Sequence, residues 1–261
     1  MAAIIERRVT RAAGWSRRLG SFSFVLFVTA GLAHRYQYLE TPALLWVLML
    51  VAGLSVLALA CGLFAFRRYW VYDDFGASDL TVGIVMAALT LVPFAISTYR
   101  YFTLPQLVDI STDRKRPPLL ADAEARRTAG MNMIAELNDN LQVRAYPGVT
   151  GRRYDLPIEQ VLEVVETVAA GRGWRLSPSS VQSEMEEEFT LESEARSPII
   201  GLPADIAIRV TEIDNSAEVD MRSASRYGWH DLGDNAARID GFLSELDVEV
   251  ARRTAGLTLA R

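Results

Sequence analysis

Cysteine and histidine are almost missing from this chain. Its 261 residues include one cysteine, Cys61, and two histidines, His34 and His230. Because Cys61 lies inside an apolar run, everything after residue 103 is without a thiol. That excludes a disulfide framework, a thiolate zinc centre and a cysteine nucleophile from this part, and it leaves the redox compartment unmarked. Metal binding there would fall to carboxylates and His230, and the acidic run from Glu184 to Glu188 lacks calcium-loop spacing and reads as a solvated loop. No metal site and no cofactor is expected. An excess of basic charge is also lacking: 27 Lys and Arg stand against 32 Asp and Glu, with a pI near 5.2. A nucleic-acid partner is therefore not expected, because neutralising phosphates needs a basic face.

What the chain does have is a change of chemistry between Thr103 and Pro105. Residues 1–102 carry nine basic and five acidic side chains against 18 and 27 in the remainder, net charges of +4 and −9. The first part, residues 1–103, reads as a membrane anchor of three helices spanning about 19–38, 44–66 and 80–102. The run Leu44 to Phe66 has no charge and exceeds the roughly 20 residues a hydrocarbon core requires. Leu80 to Phe102 is interrupted only by Pro93 and ends in Tyr99, Arg100 and Tyr101, an interfacial signature. The first run closes on His34 and Arg35, where a cationic side chain can snorkel to the interface. Its basic flank also fits a cleaved signal peptide, but no small-residue cleavage site stands out. The spans hold no carboxylate, so nothing points to a pore or proton relay. The pairs Ala58/Gly62 and Gly83/Ala87, spaced by four, suit close helix packing.

Arg7, Arg8, Arg11, Arg17 and Arg18 precede the first run, and Arg67 and Arg68 open the loop after the second. The positive-inside bias puts both groups in the cytoplasm. Three spans then leave the N-terminus cytoplasmic and the C-terminal part outside, which in a bacterium with two membranes is the periplasm. Arg114, Lys115 and Arg116 pull mildly the other way.

Residues 104–261 read as one soluble α+β domain, with helices packed on one face of an antiparallel sheet. Asp109 to Asp113 and Pro117-Pro118 read as an irregular tether with local turn bonds. A polar helix is expected over 121–138. A firmer one opens at Leu156-Pro157, with Ile158, Val161, Leu162, Val165, Val168 and Ala169 at helical spacing and Gly171 and Gly173 at its end. Period-two strands follow: Trp174 to Ser177, Glu188 to Ala195 with its glutamates turned outward, Ile206 to Val210, and Glu218 to Arg226 after an Asp214-Asn215 turn. Asp231 is placed as the N-cap of a last helix whose stripe is Ile239, Phe242, Leu243, Leu246 and Val250.

The run Val219-Asp-Met-Arg-Ser-Ala-Ser-Arg226, followed by Asp231-Leu-Gly-Asp-Asn-Ala-Ala-Arg-Ile239, resembles the C-terminal signature of the family known as domain of unknown function 1499. Asp109-Ile-Ser-Thr-Asp113 with Pro117-Pro118 is similar to that family's opening motif, and Ile208-Arg209-Val210 to its preceding strand. The resemblance covers about Gln106 to Leu246. It implies a bacterial-envelope or photosynthetic-organelle setting, often behind membrane helices, and no established chemistry. The chain departs from the family at Asp205, a single acid where a paired acidic turn is usual.

The polar constellation that could bind a ligand is Asp220, Arg222 and Arg226 on one strand face, with Asp231, Asn235 and Arg238 at the start of the last helix. If that helix folds back over the strand, two or three arginines beside a helix N-terminus would suit a headgroup, carboxylate or phosphate. The competing reading makes them a structural ion-pair network. His230 beside Asp231 lacks the context of a hydrolase triad and reads as a solvent-facing loop residue, so no catalytic residue is assigned. The loop Ile199 to Pro203 could touch a membrane, gate a cavity or lie beneath the last helix. The function expected is a non-enzymatic, multi-pass inner-membrane protein whose periplasmic domain binds an envelope protein or lipid-like ligand. The alternative is an enzyme acting on an envelope lipid or glycan through the Arg/Asp cluster.

Overall fold

The computed structural model describes residues 11–72, 77–134, 139–180 and 188–259. Arg7, Arg8 and Glu184 to Glu187, used above, lie outside the described residues. The chain divides into two compact units, Met1–Tyr99 with Ile199–Gly201, and Arg100–Pro198 with Leu202–Arg261.

The first unit is built from α1 (Arg11–Arg35), α2 (Thr41–Tyr72) and α3 (Ala77–Thr103), the last of which runs on into the second unit. Only two of them, over Thr41–Val71 and Ala77–Thr103, are long and apolar enough to cross a membrane. The first helix forms where expected, but it fails that test. Gly20, Ser21, Ser23 and Thr29 dilute its middle, and Arg17, Arg18, His34 and Arg35 bracket it. Its contacts explain the dilution. Ser16 Oγ donates to the Ala58 carbonyl at 2.9 Å, Ser55 Oγ to Ser23 Oγ at 3.0 Å, and His34 Nε2 meets Thr41 Oγ1 at 2.9 Å. These pairs descend along α2 as they ascend α1, so the two helices run antiparallel. Arg17 pairs with Asp79 at 2.7 Å, and a Cβ on Gly20 would collide with the Gly83 carbonyl, so α1 and α3 run parallel. The bundle is therefore up-down-up. Gly62 and Gly83 leave room for Ser16, and Ala58 and Ala87 are fully buried, as the four-residue spacing implied.

Burial in this unit is inverted relative to a protein dissolved in water. Ala13, Ser16, Gly20, Ser23, Ala30 and His34 of α1 are buried, whereas Trp15, Phe22, Val25, Val28 and Leu32 are exposed. The second and third helices repeat the pattern, with Ser55, Ala58, Ala87 and Thr90 inside and Trp46, Met49, Leu63, Phe64, Leu89 and Ile96 outside.

The second unit contains β1 (Asp109–Ser111), α4 (Ala121–Ala125), α5 (Asp139–Ala145), β2 (Arg152–Tyr154), α6 (Ile158–Gly171), β3 (Ser177–Pro178), β4 (Glu188–Arg196), β5 (Pro203–Ile213), β6 (Ser216–Ser225) and α7 (Asp234–Leu259). The six strands form one antiparallel sheet in the order β1-β6-β5-β4-β3, and β2 shares the outer edge of β6 with β1. The family resemblance thus sits on an α+β fold. Asp214 and Asn215 both take positive φ, 50° and 61°, giving the two-residue turn that pairs Ile213 with Ser216 and joins β5 to β6.

Alternation along β5 and β6 sends Ile206, Ile208, Val210, Val219 and Met221 to one face, where they meet α6 and α7. Ile239, Phe242, Leu243, Leu246 and Val250 of α7 are all buried there, each worth about 1.5–3 kcal/mol when fully removed from water. From α6 come Ile158, Val161, Val165, Val168 and Ala169, with Val164 rather than Leu162 fully inside. Gly173, at φ 73°, ends that helix and turns Trp174 onto Phe242, ring centroids 5.5 Å apart.

Several expectations need correction. Asp109 to Ser111 is not part of a loose tether: it is a strand paired with β6, and the Gln142 side chain bonds both backbone groups of Ser111, closing that edge. The helix expected over 121–138 shrinks to Ala121–Ala125, and residues 135–138 lie outside the described residues. The strand after α6 is only Ser177–Pro178. The helices are not confined to one face, because Leu120 and Ala123 of the α4 segment pack on Ala207 and Ala224 of the other. Ile199 is exposed instead of lying beneath a helix.

Candidate functional site: an ion-paired layer on the second sheet face

The strand register decides which polar side chains meet. Asp220 lies opposite Arg209, Arg222 opposite Ala207, and Asp205 opposite Ala224 and Glu194. Directly opposed residues share a face, so Asp220, Arg222, Asp205, Arg209, Glu192, Glu194 and Asp109 all point away from α6 and α7. Over them folds the stretch from Thr112 through α4 to Asn132.

Each arginine of this layer has a carboxylate. Arg222 grips Asp109 through two nitrogens, Nε at 3.0 Å and Nη2 at 2.8 Å. Arg209 donates to Asp220 and Asp113, both at 2.8 Å, and to the Arg116 carbonyl at 2.6 Å. Asp205 accepts from Arg226 at 2.7 Å and from Arg127 at 2.7 Å, and Arg226 also reaches Glu194 at 2.9 Å. Among the described residues Glu192 has no cationic partner. Its carboxylate accepts the backbone N–H of Asp122 and Ala123 and the Ser179 hydroxyl, which holds the start of α4 to the sheet. It is buried, where the alternation had turned it to solvent.

Burial sets the electrostatics. It pushes the Asp109 carboxyl above its ordinary range, against the opposing pull of Arg222. Burial also depresses the Arg127 guanidinium, with Asp205 pulling the other way. For Arg209 and Arg226 desolvation again favours the neutral form, but hydrogen bonds to Asp220 and Asp113, or to Asp205 and Glu194, outweigh it and leave both raised. A buried cation held by two carboxylates and backbone carbonyls is a crosslink between strands and strap.

The six residues singled out from sequence divide between the two faces. Asp220, Arg222 and Arg226 belong to the paired layer. Asp231, Asn235 and Arg238 sit on the α7 side, where Asn235 and Arg238 meet Ser223 rather than the other three. Asp231 accepts from the backbone N–H of Gly233 at 2.9 Å and of Asn235 at 3.0 Å, capping the entry to α7 as expected. Asn235 accepts from Ser223 and donates to the Val108 carbonyl and to Ser225. Arg238 donates to Ser223 Oγ at 2.9 Å and to the Asn235 side-chain Oδ1 at 2.7 Å, and burial depresses its guanidinium. Burial likewise raises Asp231. The last helix does fold back on β6, but it covers Val219, Met221 and Ser223, one residue out of phase with Asp220 and Arg222.

His230 is also corrected. Its side chain is buried: Nδ1 accepts the Leu232 N–H at 2.9 Å, Nε2 lies 3.2 Å from the Leu104 carbonyl, and the ring lies tilted against Tyr101. Asp109, Asp113, Arg127, Glu192, Glu194, Asp205 and Arg209 complete the layer and were not singled out. The signal for two of them was present: Asp205 and Arg209, with Ala207 between them, alternate on the face of β5 that the apolar residues leave free. Among the described residues no group of three His, Cys, Asp or Glu side chains is arranged to hold a metal ion.

This is an α+β domain whose second sheet face is closed by a salt-bridged strap. The chain belongs to the family described as "Protein of unknown function (DUF1499)", whose model matches residues 109–246, from the first strand of the sheet into α7. Among curated proteins none matches. Of solved structures, the crystal structure of CalU16 from Micromonospora echinospora aligns with 13% identity over 42% of this chain and 79% of that one, at a TM-score of 0.26.

Proposed function

We propose that the chain is a membrane-anchored binding protein: a three-helix anchor presenting the family domain to an envelope protein or a lipid-like ligand. The observation that carries the anchor is the inverted burial of α1, α2 and α3. Serine, glycine and alanine inside with tryptophan, phenylalanine and leucine outside would aggregate in water and is favourable in lipid. The first helix joins the anchor on this ground although its composition alone falls short, because its polar groups are spent on neighbouring helices.

Orientation follows from the up-down-up order. The N-terminal ends of α1 and α3 share one end of the bundle, where Arg17 pairs with Asp79, and Arg67 and Arg68 lie towards the same end of α2. The positive-inside bias assigns that end to the cytoplasm. The domain, joined to the opposite end of α3, then lies outside, in the periplasm of a bacterium with two membranes. Binding is preferred to catalysis because Asp220, Arg222 and Arg226 are committed to partners that hold the strap, which leaves the enzyme reading without a free acid or base in that cluster.

A reporter fused after Arg261 tests topology. Activity of a periplasmic reporter is expected, and activity of a cytoplasmic one overturns the orientation. Native mass spectrometry of the membrane-extracted protein, with lipid extraction, tests binding. A retained lipid or co-purifying envelope protein is expected, and bare protein under gentle extraction counts against it.

A further inference from the structure

Two short segments of the sheet unit lack Asp, Glu, Lys and Arg altogether: Met131-Asn-Met-Ile134 and Tyr227-Gly-Trp-His230. They are bound side by side. Asn132 donates its side-chain amide to the Gly228 carbonyl at 2.7 Å and the Ser225 carbonyl at 3.1 Å, and its backbone N–H to the Arg226 carbonyl. Arg127 ties the same pair of loops by donating to the Asn132 carbonyl. On this pinned platform the largest apolar side chains face outward: Trp229 is 84% exposed and Met133 76%. A monomeric protein leaves such a paired apolar tip uncovered for a reason.

Its position supplies the reason. His230, next to Trp229, packs at a tilt against Tyr101, ring centroids 5.2 Å apart, and faces the Leu104 carbonyl, and both belong with the sheet unit. Tyr101 is in the final turn of α3, which closes with exposed Tyr99, Tyr101 and Phe102. Aromatic side chains gather at the level where a span leaves the hydrocarbon. A tryptophan held one residue from that turn lies near the same level.

We propose that the Trp229 and Met133 loops form a second membrane contact, inserting at the bilayer interface beside the exit of α3 and fixing the domain against the lipid surface. This rests on the anchor reading above. Tryptophan suits the location because its ring is apolar and its indole N–H seeks the wet headgroup layer. The absence of charge in both segments removes the desolvation cost that would oppose insertion. The occupant is lipid, not a protein, because the loops adjoin the membrane end of a span.

The test uses the full chain in nanodiscs, with Cys61→Ala as background and a fluorophore at Trp229→Cys or, separately, Met133→Cys. Leu89→Cys, exposed midway along α3, and Val248→Cys, exposed on α7, serve as controls. Lipids bearing a shallow spin label should remove most of the emission at 229 and 133 and leave 248 bright, while aqueous iodide should do the reverse. Iodide quenching at both 229 and 133 overturns the inference, as does shielding from both quenchers, which would mean a protein partner or second copy. A position 89 dark with deep lipid quenchers preserves the anchor in either case. A position 89 untouched by lipid removes the anchor reading and this inference together.

Discussion

Removing Arg222 separates a structural layer from a ligand site. Arg222→Ala strands Asp109, which is 6% exposed and loses a two-pronged cation at 3.0 and 2.8 Å. Breaking a buried pair from one side costs about 3–5 kcal/mol, because the remaining charge stays desolvated. With a urea dependence of about 2 kcal/mol per molar, the unfolding midpoint should drop by roughly 2 M. Pulse proteolysis of the full chain in nanodiscs reads that midpoint from the surviving sheet unit. The double variant Asp109→Leu/Arg222→Met removes both charges and should recover most of the loss, since apolar replacement of a buried pair is often neutral or better. The sign with pH is also set. Burial already raises Asp109 with its partner present, and without Arg222 the carboxyl climbs further, so the deficit should shrink as pH falls and Asp109 protonates. A single variant with an unshifted midpoint, or a double variant as damaged as the two singles combined, refutes the structural reading and frees Arg222 for a ligand.

Three further outcomes follow from the same geometry. Glu192→Ala should speed hydrogen exchange at the Asp122 and Ala123 amides while leaving β5 and β6 protected, since those two N–H groups lose their acceptor; equal protection in the variant contradicts this. Asn215→Val should cost about 1–2 kcal/mol, because a β-branched residue pays fully for positive φ, whereas Asn215→Gly should not lower the midpoint. The Tyr154 hydroxyl donates to Asp247 at 2.7 Å and is raised well above its ordinary value, by burial first and then by Asp247. Its stabilisation is complete below the unfolded tyrosine value near ~10 and is lost as pH rises above it. Tyr154→Phe should therefore flatten the midpoint between pH 9 and 11 on the order of one tyrosine titration, and an identical slope in both proteins counts against the bond.

Apolar periodicity was the readable part of the sequence. The stripe of α7, most of α6 and the inward residues of β5 and β6 were legible because each buries a face with its own period, 3.6 or 2, that needs no partner to be recognised. The hairpin turn was legible for the same local reason. What could not be read was anything decided by the opposite face. Glu192 alternates like a solvent residue, and only the arrival of α4, 70 positions away in sequence, makes it a buried acceptor. Asp109 looks like turn chemistry until β1 is laid beside β6 and Arg222 comes within reach. The candidate site failed to converge by a single step of register: Asp220 and Arg222 point one way and Ser223 the other, so α7 could cover only one set. The first helix, expected as a span, falls short in apolar composition for a related reason, since its serines and glycines are polar or small to suit two neighbouring helices.

The pairing of Asp109 with Ala224 also sets a clock. More than a hundred residues separate the two strands, and at about 5–20 residues per second the ribosome needs on the order of ten seconds to deliver the second after the first. All three helices are finished before that interval begins. The family domain is therefore left, during its own synthesis, as an open chain whose first strand has no neighbour and whose aspartates are not yet buried, tethered to the finished helices until β6 arrives. A chain truncated within β6 should consequently be a substrate for proteases rather than a smaller folded protein.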